Sequence, residues 1–227
     1  MSITARTPEA AYSASANNLT CNVPAGTTDG DLMLCVVMLY ADETVTSATG
    51  WTLVDEFITP GVGGCNWYIY RRIASSEPAN YNFTFSEVAG PPACRMVIGS
   101  FLVANLNAAD PIAAYSTDQY SANDAYVKAT YTPPYAGMDS IFIGCAYNTS
   151  ATRTFSSVTN TGGSWTETYD AGENTSDFYQ CFYTYIQPES GAILVTGTMN
   201  DSVNYNKFAW AIALNVPKTG KGFVMMF

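Results

Sequence analysis

Residues 32–40 read Leu-Met-Leu-Cys-Val-Val-Met-Leu-Tyr, and residues 208–216 read Phe-Ala-Trp-Ala-Ile-Ala-Leu-Asn-Val. Runs of this length that are apolar almost throughout suit β-strands buried on both faces. A strand with one face in water would instead alternate between apolar and polar residues. We therefore expect both runs to lie in the middle of a core that is shared by distant parts of the chain.

The flanking sequence extends the same strand pattern in both directions. Short runs rich in Tyr, Phe, Val, Ile and Thr are separated by clusters of Gly, Pro, Asn, Asp and Ser, and no long stretch has a convincing helical period. This pattern predicts an all-β fold, an antiparallel, jelly-roll-like β-sandwich of about twelve strands. The predicted strands are residues 18–23, 32–40, 51–57, 66–73, 81–85, 95–103, 126–131, 140–147, 164–169, 177–186, 192–199 and 208–216.

The first six predicted strands match the second six in order, at an offset of roughly 110 residues that is too long for a solenoid repeat. Matching segments are 30–36 with 138–144, 49–52 with 163–166, 67–73 with 178–186, and 95–101 with 208–214. We predict one domain over residues 1–217, with pseudo-repeated halves at 1–105 and 125–217. A connector would cover residues 106–124, and a C-terminal tail residues 218–227. Two separate sandwiches are the alternative.

Composition restricts the possible functions. Nine Lys and Arg stand against nineteen Asp and Glu, which gives a net charge of −10, so we expect no nucleic-acid partner. The chain has no histidine, the residue best suited to proton transfer near neutral pH and to imidazole metal sites. We therefore expect a protein that is not an enzyme, with no cofactor and no metal.

Residues 1–9 lack the layout of a signal peptide, and no apolar run approaches the roughly 20 residues of a membrane span. We expect synthesis in the host cytoplasm and no membrane partner. Six cysteines lack the spacing of a metal site, and several lie in apolar strands: Cys21, Cys35, Cys65, Cys94, Cys145 and Cys181. Buried free thiols are the favoured interpretation, and a set of disulfides is the alternative.

Several motifs, taken together, resemble those of a known family. They are Gly30-Asp31-Leu32 with Leu34, Gly50-Trp51-Thr52, Tyr68 with Tyr70-Arg71 and Ala74, Tyr81 with Phe83-Thr84-Phe85, Asp110-Pro111-Ile112, and residues 210–214. Over roughly residues 19–217 the chain resembles a β-sandwich domain of bacteriophage virion proteins, as in capsid decoration or tail-associated proteins, and of some secreted bacterial proteins. The resemblance implies a virion surface, capsid or tail component, and it brings no catalytic residues.

Acidic residues are the first candidates for chemistry. Glu167, Asp170 and Glu173 are spaced by three, which places them on alternating faces of a strand, and Asp55 and Glu56 are adjacent and point apart. The paired acids of a glycosidase need to converge, so we interpret these residues as solvated charges at the rim. The segment 29–31, Asp-Gly-Asp, suits a turn better than a cation site.

Aromatic side chains have two functional interpretations, sugar stacking and interface anchoring. Alternating aromatics within the apolar strands favour the core instead, as in Trp67 with Ile69 and Phe208 with Trp210 and Ile212.

The C-terminal tail is basic and glycine-jointed, and it ends in five apolar residues: Phe223, Val224, Met225, Met226 and Phe227. These five are the predicted partner-binding residues, because a groove or sheet edge of a partner could accept them as an added strand. The alternative is that the tail packs against its own domain.

The favoured hypothesis is a non-enzymatic virion structural protein of a bacteriophage, a capsid decoration or cement protein. Its partners would be the major capsid protein or other virion proteins, contacted by several copies in each particle. The second hypothesis is a tail- or fibre-associated carbohydrate-binding adhesin module. The third is a lyase or hydrolase that uses Tyr and Arg in place of His.

Overall fold

The computed structural model describes residues 3–40, 43–58, 64–87, 92–120, 126–132, 138–147, 155–160, 163–172, 178–186, 193–199 and 207–216. These residues contain no helix and form antiparallel sheets, which confirms the all-β prediction. In the first half of the chain the described residues form nine strands: β1 (Ile3–Ala5), β2 (Glu9–Ser13), β3 (Asn18–Asn22), β4 (Leu32–Tyr40), β5 (Val45–Ser47), β6 (Thr52–Phe57), β7 (Cys65–Ile73), β8 (Asn80–Phe85) and β9 (Cys94–Val103).

The second half has nine strands among the described residues: β10 (Ile112–Tyr120), β11 (Tyr126–Tyr131), β12 (Asp139–Tyr147), β13 (Phe155–Asn160), β14 (Gly163–Ser164), β15 (Thr166–Gly172), β16 (Phe178–Ile186), β17 (Ile193–Met199) and β18 (Lys207–Leu214). All twelve predicted strands correspond to strands of the structure. Six others lie outside the predicted set: β1, β2, β5, β10, β13 and β14. Of these, β10 falls within the segment predicted as the connector.

The strands form four sheets. The first inner sheet has the order β1-β9-β4-β7-β6, with β2 also paired to β9, and the second inner sheet has the order β10-β18-β12-β16-β15. The first outer sheet is β3-β8-β5, and the second outer sheet is β11-β17-β13-β14. In the second half the first strand β10 pairs with the last strand β18, and the second strand β11 pairs with the penultimate strand β17, as in a jelly roll. The first half follows the same plan, except that β1 and β2 both pair with the last strand β9 and β3 pairs with the penultimate strand β8.

Three apolar layers hold the sheets together. Strand β4 shows how, because its residues alternate between two layers and are buried on both faces, as predicted. Leu34 and Val36 belong to the central layer between the two inner sheets, whereas Met33 and Cys35 belong to the layer under the first outer sheet. The third layer lies between the second inner and the second outer sheet and contains Phe142.

The central layer combines residues from both halves of the chain. Leu34, Trp67 and Val97 of the first half belong to the same buried cluster as Ile143 and Trp210 of the second. Across this layer, β6 lies over β18, since the ring centroids of Phe57 and Phe208 are 4.4 Å apart. The apolar runs at 32–40 and 208–216 therefore both contribute to one core.

The residue-by-residue match between the halves is wrong by one position at β4 and β12. Matching 30–36 with 138–144 aligns Leu32 with Ser140, but Leu32 belongs to the central layer. Ser140 faces the other way, where its Oγ accepts a hydrogen bond from the hydroxyl of Tyr131 at 2.9 Å. The position that faces the central layer is Asp139, because Ile141 two residues on lies in that layer. A one-residue slip exchanges the two faces of a strand, which composition alone does not reveal.

Candidate functional site

The conformation of the corner at Gly50, Trp51 and Thr52 depends on a glycine and a buried ring. Gly50 has φ +83°, and a Cβ there would lie 2.6 Å from Nη1 of Arg72. The same Nη1 donates a hydrogen bond of 2.8 Å to the Gly50 carbonyl. The buried ring of Trp51 packs edge-on against Tyr81, with ring centroids 5.2 Å apart. The chain therefore enters β6 in a fixed direction.

A network centred on Glu77 holds Arg72 in place. The Arg72 Nε donates to the carboxylate of Glu77 at 2.9 and 3.1 Å, the backbone N–H of Ser75 donates at 2.7 Å, and the hydroxyl of Tyr81 donates as well. Burial alone would raise the pKa of Glu77, but these donors outweigh it and hold the pKa below its ordinary value. Burial and the bond to Glu77 raise the pKa of Tyr81 to about 12. The polar groups of this network therefore form hydrogen bonds with one another.

Arg71, the next residue along β7, is in a different situation. It lies on the face of the strand that Trp67 and Ile69 share, so it points toward the layer between the inner sheets, near their rim. Its side chain is half-buried, and it forms no hydrogen bond or ion pair with any residue that the structure describes.

Two adjoining cavities open beside Arg71, and together we call them the rim groove. One has a volume of about 370 Å³ and lies between β6 and the start of β10; the other has about 280 Å³ and lies beside the corner. Both are lined by Thr52 and Arg71. The larger cavity is also lined by Leu53, Asp110 and Tyr115.

The far wall of the rim groove is the loop that leads into β10, and hydrogen bonds fix it to the end of β18. The N–H of Asn107 donates to the carbonyl of Asn215, and the N–H of Asn215 donates to the carbonyl of Pro111, both at 2.8 Å. Asn107 also accepts a backbone bond of 3.1 Å from Asp110. The groove is therefore enclosed by an anchored loop on one side and the corner on the other.

The walls of the rim groove combine polar and apolar groups. Arg71 supplies a cation and Asp110 an exposed carboxylate, and the two form no ion pair with each other. Leu53 and Tyr115 are large apolar side chains that remain 44% and 47% exposed. Clefts with an apolar wall and a few convergent polar groups are typical of sites for small ligands. The arrangement is suited to binding.

The acidic pairs that the sequence suggests do not converge where the structure describes them. Asp55 turns inward and accepts a hydrogen bond of 3.2 Å from Nε1 of Trp210, whereas Glu56 is exposed. Glu167 is exposed on β15. The side chain of Asp170 and all of Glu173 lie outside the described residues.

The segment 29–31 is a turn whose polar groups bind other protein groups, as interpreted. Gly30 has φ +93°. The buried carboxylate of Asp31 accepts hydrogen bonds from Arg6 Nε at 3.2 Å and from the backbone N–H of Thr28 at 3.1 Å. Asp29 accepts from the backbone N–H of Ser76 at 2.7 Å. In the described part of the chain, no group of three His, Cys, Asp or Glu is arranged to hold a metal ion.

The aromatic residues singled out for the core are in the core. Trp67, Phe208 and Trp210 are buried in the central layer, with the rings of Trp67 and Phe208 4.8 Å apart. Five cysteines are buried and free, as predicted: Cys21, Cys35, Cys65, Cys94 and Cys145. The side chain of Cys181 lies outside the described part.

The predicted partner-binding residues Phe223, Val224, Met225, Met226 and Phe227 all lie outside the described residues, so their role stays a prediction. The rim groove, by contrast, has no counterpart among the predicted sites. The sequence does carry a signal for these residues, because Arg71 and Asp110 both belong to the motifs quoted for the family resemblance. Nothing in their spacing indicates that the loop before β10 returns to lie beside β7.

None of the described residues belongs to a helix that could span a membrane. The chain matches no protein-family model, and it has no significant match among curated proteins.

Proposed function

We propose that the chain is a non-enzymatic structural protein of a bacteriophage virion, and within that class a capsid decoration or cement protein. The observation that carries the proposal is the stack of four sheets with three apolar layers between them. Because the central layer takes residues from both halves, the stack forms a single slab. A slab of this kind can bind several neighbours through its edges and outer faces.

Close packing of large rings supports the rigidity that this role requires. Trp67 and Trp210 are buried in the central layer, and Phe208 contacts both of them. Interiors packed in this way have low compressibility, so the outer faces keep a fixed spacing. A protein that reinforces a shell has to resist deformation in the same way.

The charge of the chain supports a position away from the packaged genome. At a net charge of −10 the protein is repelled by a phosphate backbone. Its partners under this proposal are the major capsid protein or other virion proteins. Several copies in each particle would make individually weak contacts effective. The apolar residues 223–227 are the proposed point of contact.

Quantitative mass spectrometry of the purified source particle tests the proposal. A copy number comparable with that of the major capsid protein is the expected result, and absence of the chain from the particle would contradict it. Removal of residues 222–227 should reduce incorporation into particles. A control in which Gly and Ser replace the same six residues separates loss of the apolar side chains from loss of length.

The rim groove favours a second candidate function, a tail- or fibre-associated carbohydrate-binding adhesin module. Tyr115 and Leu53 are exposed beside polar groups, and a sugar needs this combination because its C–H face contacts apolar side chains while its hydroxyls form hydrogen bonds with polar ones. A glycan array probed with the full chain distinguishes the two functions. Reproducible binding to a defined set of glycans supports the adhesin, and a high copy number without glycan binding supports the decoration protein.

A further inference from the structure

We propose that the rim groove binds a sugar acid, with Arg71 holding the carboxylate. The inference extends the adhesin function above and rests on it only for its biological setting. Binding of a free sugar acid to the isolated chain can be measured without knowing where the protein resides.

The state of Arg71 is the main argument. Two other arginines, Arg6 and Arg72, form ion pairs of 3.2 and 2.9 Å with buried carboxylates. Arg71 has no such partner among the described residues, although it is half-buried and lines both cavities. The planar guanidinium is suited to paired hydrogen bonds with a carboxylate, and partial burial strengthens such bonds relative to open solvent.

The other polar groups of the rim groove match the rest of a sugar acid. The carboxylate of Asp110 can accept hydrogen bonds from hydroxyl groups, and the hydroxyl of Thr52 can donate or accept. A simple carboxylate such as acetate would use neither group. A neutral sugar would leave Arg71 without its anion.

The apolar wall of the rim groove is suited to contact with the ring of a sugar. Tyr115 and Leu53 are almost half exposed, and aromatic and aliphatic side chains contact the C–H face of a sugar through their apolar surface. The volume of the larger cavity, about 370 Å³, lies within the range of about 300–1,000 Å³ that is typical of ligand pockets. One monosaccharide with its acidic substituent is therefore the occupant we expect.

The rim groove is also held in shape before any ligand binds. Arg72 fixes Gly50 on one side, and the two hydrogen bonds between Asn215 and the loop fix the opposite side. A preformed site loses little conformational entropy on binding, which matters for a ligand this small.

The test is a titration of the full chain with D-glucuronate, followed by amide chemical shifts in NMR. D-glucose, acetate and a short acidic peptide serve as comparison probes. We expect glucuronate to bind in the millimolar range and to shift the amides of Thr52, Leu53 and Tyr115. Glucose and acetate should each bind at least about tenfold more weakly than glucuronate. Glucose lacks the carboxylate that Arg71 would bind, and acetate lacks the sugar ring and its hydroxyl groups.

Variants of Arg71 test whether this residue binds the carboxylate of glucuronate. Arg71→Gln should weaken glucuronate binding by about tenfold or more, whereas Arg71→Lys, which keeps the charge, should lose less. The matched control is Asn22→Asp, an exposed position on β3. It changes the net charge of the chain by the same single unit without touching the groove. Its affinity for glucuronate should stay that of the unmodified protein.

Four results would overturn the inference: no shift with glucuronate, shifts confined to residues away from the groove, equal affinity for glucose, or unchanged affinity in Arg71→Gln. Tighter binding of the peptide would assign the groove to a protein partner instead. The chemical-shift map of the unmodified protein decides the matter even if a variant fails to fold. Failure here leaves the copy number in the particle unaffected, so the two proposals fail separately.

Discussion

The indole N–H of Trp210 donates a hydrogen bond of 3.2 Å to the carboxylate of Asp55, across the central layer and between the two halves of the chain. Trp210 is buried at 1% exposure, so its N–H has no access to water as an alternative. The residues on either side are apolar, and Phe57 packs against Phe208 close by. This bond satisfies a polar group that would otherwise be buried without a partner.

Replacing Asp55 with Ala should therefore destabilise the protein by about 1–3 kcal/mol, the cost of leaving a buried donor without its acceptor. Asp55→Asn keeps an acceptor oxygen and should retain most of the stability. The free energy of unfolding, measured with urea, provides the check. Glu56→Ala, at the exposed neighbouring position, should stay within about 0.5 kcal/mol of the unmodified protein. Equal losses at both positions would contradict the role assigned to the bond.

Gly50→Ala should cost more stability than Gly30→Ala. Both glycines have positive φ, so each substitution strains the backbone by about 1 kcal/mol or more. A Cβ at Gly30 meets nothing within 4 Å, whereas one at Gly50 displaces Arg72 and disturbs its bonds to Glu77. Thermal unfolding of the two variants side by side measures the difference. Identical losses would show that the contact with Arg72 carries no cost.

Asp139→Asn should stabilise the protein at neutral pH and have little effect in acid. Asp139 is fully buried at the face of the central layer, and neither carboxylate oxygen has a hydrogen-bond partner in the structure. Burial raises the pKa of Asp139, and the positive charge of the N-terminus opposes this only in part, so ionisation of the carboxyl costs more free energy in the folded state than in the unfolded state. Its contribution to stability is then full below the ordinary carboxyl pKa and is lost as the pH rises through the raised value.

The expected gain for Asp139→Asn is about 1–3 kcal/mol at pH 7, from urea unfolding across a series of pH values. Asp31→Asn is the matched control, since Asp31 is equally buried but is ion-paired with Arg6. That substitution should have the opposite sign and lower the stability at pH 7. A loss at both positions would show that Asp139 is also paired in solution.

The buried thiols should resist alkylation while the protein is folded. Burial raises the pKa of Cys21 to about 12 and that of Cys94 to about 11, so almost no thiolate is present at pH 8. The pKa of Cys35 is raised as well. Iodoacetamide labelling followed by peptide mass spectrometry should find these sites unmodified in buffer and modified in denaturant. Rapid labelling of Cys35 in the folded protein would contradict its burial.

The parts of the fold that the sequence predicts are those with strong local patterns. Residues 32–40 are apolar at every position, and the structure buries both faces of that strand. Strand β10 was missed because Ile112–Tyr120 contains small and polar residues typical of an edge strand, and β5 because Val45–Ser47 is only three residues long. Short strands gain their stability from pairing partners that are distant in sequence.

The rim groove was beyond prediction for a different reason. Arg71 and Thr52 come from neighbouring strands, but Asp110 and Tyr115 reach them only because the two inner sheets stack with β6 over β18. Stacking geometry is set by packing of the whole central layer, which no local pattern encodes. The interpretation of Asp55 as a solvated charge at the rim is wrong for the same reason. The carboxylate of Asp55 accepts a hydrogen bond from Trp210, which lies in the second half of the chain.

The central layer also makes the two halves interdependent. Either half on its own would leave one wide sheet surface uncovered, displaying Leu34, Val36 and Trp67 in one case and Ile143 and Trp210 in the other. Such a fragment would have to self-associate or aggregate. When both halves belong to one chain, the covalent link between them keeps the matching surface of the other half at a high effective concentration. Each half has also diverged within the shared plan, since the edge strand of the first half is split into β1 and β2, whereas β10 of the second half is a single strand.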